Sequence, residues 1–161
     1  MGSFVMDAGS EGMLELVAPS LAAKIRQVAE MMELASEPVR TIAGFRAWMA
    51  QERLWAQGRT QAGPIVTDAR PGASWHEFGM AVDLGIIRLL GEPGWAPDDP
   101  AWQKLGNVGK TVGLFWGGDF VHNPDRPHFQ LTGRFPISPD DEVRQIFLTQ
   151  GVSAVWQSAG L

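Results

Sequence analysis

Between Pro19 and Ser36 the apolar side chains Leu21, Ile25, Val28, Met32 and Ala35 recur at spacings of three and four, which places them on one stripe of a helix. Pro19 suits the first turn, and Pro38 holds Glu37 extended just beyond the end. The run Val39-Arg40-Thr41-Ile42-Ala43, closed by Gly44, predicts a short strand. A second helix is predicted from about Ala47 to Gln57, with Gly58 as its C-terminal cap. From Gly63 to Gly94 the helical period gives way to short runs punctuated by glycine: Pro64 to Thr67, Ala81 to Leu84, and Ile86-Ile87 are strand candidates. Gly91 to Pro100 reads as a loop, and Pro100 or Ala101 opens a helix running to about Val112. Gly113 to Trp116 reads as a buried edge entering a Gly117-Gly118 turn, and His128 to Leu131 as an alternating strand. The tail predicts a helix from Asp140 to Gln150, capped by Ser138 or Asp140 and ended by Gly151, then one or two helical turns from Val152 to Gln157. Strands mixed with helices, without repeating βαβ units, predict an α+β fold with a small, mostly antiparallel sheet flanked by helices. Residues 1–18 read as a flexible lead-in and 19–161 as one catalytic-sized domain.

Composition narrows the chemistry. The 13 Lys and Arg against 18 Asp and Glu leave a formal charge of −5 with no basic stripe, which argues against capture of nucleic acid or an anionic membrane by charge. No cysteine is present, so disulfides, thiolate nucleophiles and cysteine-based zinc sites are excluded together. Any metal must then use histidine and carboxylate, and only His76, His122 and His128 are available. No apolar run approaches the roughly 18 residues of a membrane span, and the N-terminus lacks the basic start and long apolar run of a signal peptide. Synthesis in the cytoplasm without membrane insertion is therefore expected.

Two stretches carry candidate chemistry. His76 and Asp83 lie an odd number of residues apart and cannot share one face of a continuous strand. The reading that fits has His76 on a loop, Gly79 folding the chain back, and Asp83 on the next strand on the same face as small Ala81. In the second stretch Pro127 keeps Arg126 extended, so a turn separates Asp125 from His128. An aspartate inside an apolar strand run needs a partner, because burying an unpaired carboxylate costs several kcal/mol. His76, Asp83 and His128 together make a two-histidine, one-carboxylate set that leaves a fourth zinc position open, with Asp125 outside it as a base for water. His122, among Asn123 and Pro124, reads as a loop residue. Trp75 and Trp116, next to the candidate ligands, are expected near substrate.

These residues resemble the zinc-dependent peptidoglycan peptidases of the M15 class, in particular the L-alanyl-D-glutamate peptidase subgroup that includes phage endolysins. The resemblance runs from about Arg40 to Leu131. Its motifs are Gly44-Phe45-Arg46 with downstream Gln51, Gly58-Arg59-Thr60 through Val66-Thr67-Asp68-Ala69, and Ser74-x-His76-x-x-Gly79-x-Ala81-x-Asp83. The last is Asp125-x-Pro127-His128-Phe129, preceded by Trp116-Gly117-Gly118. The resemblance implies the fold shared by D-Ala-D-Ala carboxypeptidases and hedgehog-like domains. It implies zinc on His76, Asp83 and His128, with Asp125 as catalytic base and Arg46 holding or polarising the scissile carbonyl. Ser74 and Gln51 would contact substrate. Departures are Asp119-Phe120, where tryptophan is common after the two glycines, and Glu77, where the subgroup often has Asn.

The expected function is hydrolysis of the peptide stem of peptidoglycan by a monomer, with no nucleic-acid partner. Two alternatives stand beside it: a carboxypeptidase or dipeptidase acting on D-Ala-D-Ala termini, and a non-catalytic zinc-containing binding module. The expected setting is release onto the cell wall during phage lysis, with cytoplasmic recycling of wall fragments in a host as the competing one.

Overall fold

The computed structural model describes residues 4–88, 93–94 and 96–161. In chain order the elements are α1 (Ala8–Leu14), α2 (Pro19–Leu34), β1 (Val39–Ala43), α3 (Trp48–Ala56), a 3-10 helix (Trp75–Phe78), β2 (Ala81–Ile87) and β3 (Pro93–Gly94). They continue with α4 (Ala101–Thr111), β4 (Phe115–Trp116), a second 3-10 helix (Gly117–Asp119), β5 (His128–Gln130), α5 (Asp141–Gln150) and α6 (Val152–Ala159). The strands form one antiparallel sheet in the order β1-β2-β5-β4, with β3 also paired to β2. This is the expected α+β architecture.

Strand β2 is the hinge of the packing because its two faces enter different layers. Val82, Leu84 and Ile86 join Leu21, Ile25, Val28 and Met32 of α2, and Trp102 and Leu105 of α4, in the larger core. Each fully buried aliphatic side chain there contributes about 1.5–3 kcal/mol. Ala81, of opposite parity, faces a smaller cluster of Trp75, Phe78, Phe135, Val143 and Val155. Asp83 shares the parity of Ala81 and so turns away from the large core.

The structure corrects several expectations. Within the segment read as a flexible lead-in, residues 8–14 form a helix. The Asp7 carboxylate caps it, accepting from the Ser10 N–H at 3.0 Å and from the Ser10 hydroxyl at 2.6 Å. Leu14, Val17 and Ala18 are buried. The Ser10 hydroxyl also accepts from the Thr41 N–H at 2.9 Å, satisfying a donor on the outer edge of β1. The candidate strand Pro64 to Thr67 is not one. Ile65 and Val66 are exposed, and the carbonyls of Pro64 and Thr67 accept from the side chains of Gln57 and Arg59 instead of from a neighbouring strand. The two runs around Gly85 form one continuous strand. The expected loop Gly91 to Pro100 lies partly outside the described residues, and the backbone of Pro93–Gly94 pairs with β2.

Candidate metal centre and its cleft

Ser74 opens the first 3-10 helix through a reciprocal capping pair: its hydroxyl accepts from the His76 N–H, and the Glu77 carboxylate accepts from the Ser74 N–H at 3.1 Å. Glu77, fully buried, also accepts from the Gly72 N–H at 2.9 and 3.0 Å, which pins the loop ahead of the helix. Gly79 ends the helix at φ +62°, and a Cβ there would meet the Leu16 carbonyl at 3.1 Å and the Trp156 ring at 3.0 Å. The chain therefore reverses at Gly79, and His76 points back over the sheet while Trp75 and Phe78 enter the smaller core.

Sheet register supplies the other two ligand candidates. Asp83 lies directly opposite His128, and Ala81 opposite Gln130, so all four project from one face. His76 Nε2 is 3.1 Å from Asp83 Oδ1, His128 Nδ1 is 3.3 Å from the same oxygen, and the two nitrogens are 3.2 Å apart.

Their outer partners fix what those atoms present. His76 Nδ1 lies 2.8 Å from the Gly44 carbonyl, which only accepts, so the hydrogen is on Nδ1 and Nε2 carries a lone pair. Gln130 donates its amide N–H to the Ile137 carbonyl, leaving its oxygen to accept from His128 Nε2 at 2.9 Å, and His128 Nδ1 is bare in the neutral ring. Three lone-pair atoms thus converge with no donor among them, an arrangement that repels itself unless a cation or proton sits between. A tetrahedral zinc with nitrogen ligands about 2.0–2.1 Å away spaces them roughly 3.3–3.4 Å apart. The observed spacing fits that ion, and His76, Asp83 and His128 form the one group among the described residues able to hold a metal.

Electrostatics follow the geometry. Burial pushes the Asp83 carboxyl up, but His76 and His128 overcome it and hold it well below the usual carboxylate range. Burial lowers His128, while the hydrogen bond and charge of Asp83 raise it to a net value above the ordinary imidazole. Asp125 is exposed to the cleft, yet crowding by its walls, then the negative charge of Asp83, raise its carboxyl above the usual aspartate value against the pull of His128, His76 and Arg46.

The group lies at the floor of a cleft of about 910 Å³ whose walls come from residues 65–69, 73–75, 120, 122–125 and 137–138, with Arg46 and Leu54 from the α3 side. Asp125 is set by its backbone: its N–H donates to the Gly117 carbonyl at 2.9 Å, and its carbonyl accepts from the His128 N–H at 3.2 Å. The approach leaves no room for a side chain at Gly117, where a Cβ would lie 2.5 Å from the Asp125 carbonyl oxygen and 2.8 Å from His128 Cβ. Arg46 donates its backbone N–H to the His76 carbonyl at 3.0 Å, so the arginine is tied to the segment that carries His76.

The structure reassigns two expected substrate contacts. Gln51 is fully buried and does not line the cleft; it accepts from Arg46 Nη1 at 2.8 Å and donates to the Ala69 carbonyl at 2.8 Å, bracing the arginine against the wall. Trp116 is also absent from the lining: its indole N–H donates to the Arg126 carbonyl at 2.7 Å and its ring packs against Gly106 and Gly118, so it supports the Asp125 loop from beneath. Ser74 and Trp75 do line the cleft, although the Trp75 indole is committed to the Ile137 carbonyl and the core. His122 lines the cleft but stands outside the ligand group. Gln130 and the Gly44 carbonyl escaped the sequence reading; alternation along His128-Phe129-Gln130 is the signal that places Gln130 beside His128. If Gln51 braces Arg46, Gln51→Ala should lower kcat about ten- to a hundredfold with metal content unchanged, since small misplacements of a positioning group carry penalties of that order. Kinetics with metal analysis of the same preparation checks this.

Comparison with known proteins agrees with this geometry. Residues 67–131 match the M15 peptidase family described as D-alanyl-D-alanine carboxypeptidase. The chain is 36% identical over 95 residues to the peptidoglycan L-alanyl-D-glutamate endopeptidase CwlK of Bacillus subtilis, a match covering 55% of this chain and 57% of that protein. The structure of the Serratia marcescens L-Ala D-Glu endopeptidase ChiX superposes with a TM-score of 0.60 at 25% identity, covering 82% of this chain and 92% of that one. The zinc complex of the vancomycin-resistance D,D-pentapeptidase VanY shares the fold at a TM-score of 0.56 and 13% identity, over 86% of this chain and 83% of that one. With its His-Asp-His floor and its antiparallel sheet, the chain is similar to the M15 peptidases in sequence over residues 67–131 and in fold over most of its length, and it spans a little over half the length of the curated relative it matches.

Proposed function

We propose that this protein is a zinc-dependent endopeptidase that cuts the L-alanyl-D-glutamate bond in the peptide stem of bacterial peptidoglycan. The observation that carries the reading is the convergence of three lone-pair atoms on the floor of a cleft that also holds Asp125 and Arg46. His76, Asp83 and His128 would hold the ion, which when bound supplies Lewis-acid polarisation and makes water acidic enough to react near neutral pH. Asp125 takes a proton from the attacking water on its carboxylate and returns it to the leaving amine, a task suited to a carboxyl raised above its ordinary value. Arg46, held by Gln51, directs its guanidinium at the carbonyl oxygen as negative charge develops there. All of these groups come from one chain, which is consistent with action as a monomer.

A carboxypeptidase acting on D-Ala-D-Ala ends has to hold a terminal carboxylate as well. Among the described residues Arg46 is the one Lys or Arg lining the cleft, and the mechanism already uses it. That favours cleavage inside the stem. A binding module with a purely structural metal would need neither Asp125 nor Arg46.

The test is digestion of purified sacculi by zinc-loaded protein, with the released ends identified by mass spectrometry. New L-alanine carboxyl ends and free D-glutamate amines are expected, together with clearing of the suspension, as a lysis enzyme acting on the wall requires. Loss of terminal D-alanine alone would move the assignment to a carboxypeptidase. Cleavage confined to soluble fragments would reject the lysis role, and no product from fully loaded protein would reject the enzyme.

A further inference from the structure

Two cleft walls meet at one point. Asn123 Nδ2 donates to Asp68 Oδ2 at 2.7 Å, joining segments 55 residues apart in sequence. His76 and His128 are buried on the floor with Asp83 18% exposed between them, whereas the Asp68 side chain is 72% exposed and Asn123 is exposed, so the contact lies at the rim. The two ends are anchored differently. Arg59 fixes the Asp68 side: it stacks on Trp55 at 3.5 Å, donates to the carbonyls of Trp55 and Thr67, and reaches to 3.9 Å from Asp68. On the other side Phe120 and Asp125 are held through the Gly117 carbonyl, but among the described residues the crown 121–124 has one hydrogen bond, the one to Asp68. Asn123 adopts φ +52°, a conformation asparagine tolerates better than most residues, and Val121 beside it is 90% exposed.

We infer that Asp68 and Asn123 form a strap that determines which substrates reach the floor. The inference rests on the peptidase reading above. A peptide with a free end can thread beneath a closed strap. A stem joined to glycan at one end and cross-linked at the other has no free end and enters only when the strap parts. A single solvent-exposed hydrogen bond restrains such opening by no more than about tenfold in population, so the strap filters substrates without blocking them. Asp68 and Asn123 are thus specificity-determining residues, distinct from the groups that carry the chemistry.

Asn123→Asp keeps the side-chain shape and its tolerance of positive φ but sets two carboxylates against each other, and the strap opens. Adding Asp68→Asn reverses donor and acceptor and re-forms it. Because the chain has no cysteine, spin labels on Ile65→Cys and Val121→Cys report the separation of the two walls without interference. The expected result is a narrow distance distribution that broadens in the Asn123→Asp background and narrows again in the reciprocal double variant. Cleavage of intact sacculi should rise about three- to tenfold on opening and return in the double variant, while cleavage of a soluble stem peptide changes less than twofold. Unchanged distances, no rescue by the double variant, or equal changes for both substrates would overturn the strap. A wild-type protein that cuts neither substrate would overturn the peptidase reading and with it the filtering role, while the label distances still decide whether the walls are tied.

Discussion

Asp125→Asn should lower kcat by about 10²–10⁴, the range by which a positioned proton-transfer group accelerates such reactions, with metal content and melting temperature close to wild type. The fold survives because the hydrogen bonds that set residue 125 run through its backbone to Gly117 and His128, and asparagine preserves them. Asparagine also keeps the shape of the side chain while removing its ability to accept a proton. The fall should appear in kcat more than in KM, since the lost interaction belongs to the transition state. Steady-state kinetics on a soluble stem peptide, with metal measured on the same preparation, makes the comparison. A variant retaining more than a tenth of wild-type kcat would remove Asp125 from the chemistry.

Asp83→Ala should abolish both metal binding and activity. The change removes the shared oxygen that both imidazoles approach and leaves two nitrogens at 3.2 Å with nothing to bring a cation between them. Wild-type protein with free zinc a thousandfold above Kd gains about 4 kcal/mol from the ion, or roughly 8–16 °C in Tm at ~2–4 °C per kcal/mol for a chain of this size. Chelator should therefore lower the wild-type melting temperature by that order and leave Asp83→Ala unmoved. Acid should act like chelator. His128 in the metal-free site sits above the ordinary imidazole value, so protons compete for it from a higher pH than for a free histidine, and metal affinity falls as pH falls through that region. Zinc retained by Asp83→Ala at wild-type stoichiometry would show that the ion lies elsewhere.

That His76, Asp83 and His128 come together was legible in the sequence because such residues are few and unusual here: with no cysteine and three histidines, an aspartate between Val82 and Leu84 needed a partner from a short list. Long periodic segments such as α2 were legible for the same reason that they are stable, since the stripe that marks them is the face they bury. What escaped was set by partners remote in sequence. Pro64 to Thr67 has the β-branched composition of a strand, but strand formation needs a free sheet edge, and side chains of Gln57 and Arg59 take up its carbonyls first. Residues 8–14 look too small and polar to fold, and do so because Asp7 caps the helix and Leu14 and Val17 reach a core contributed by later elements. Gln51 and Trp116 stand near the right motifs, but proximity in sequence does not tell a residue that touches substrate from one that braces its neighbour.

The register between β2 and β5 has a consequence for how the chain folds. Asp83 and His128 meet only because they are exact cross-strand partners on segments 45 residues apart in sequence, and such long-range pairings form late and can misalign. A slip by one residue sets Val82 or Leu84 against His128 and turns the carboxylate to the opposite face, into the core side of the sheet. Such a slip parts Asp83 from His76 and His128. The same three side chains would therefore act as a register gauge during folding: a cation held by all three would be held by the aligned sheet and not by one slipped by a residue, so its binding energy would favour the native register.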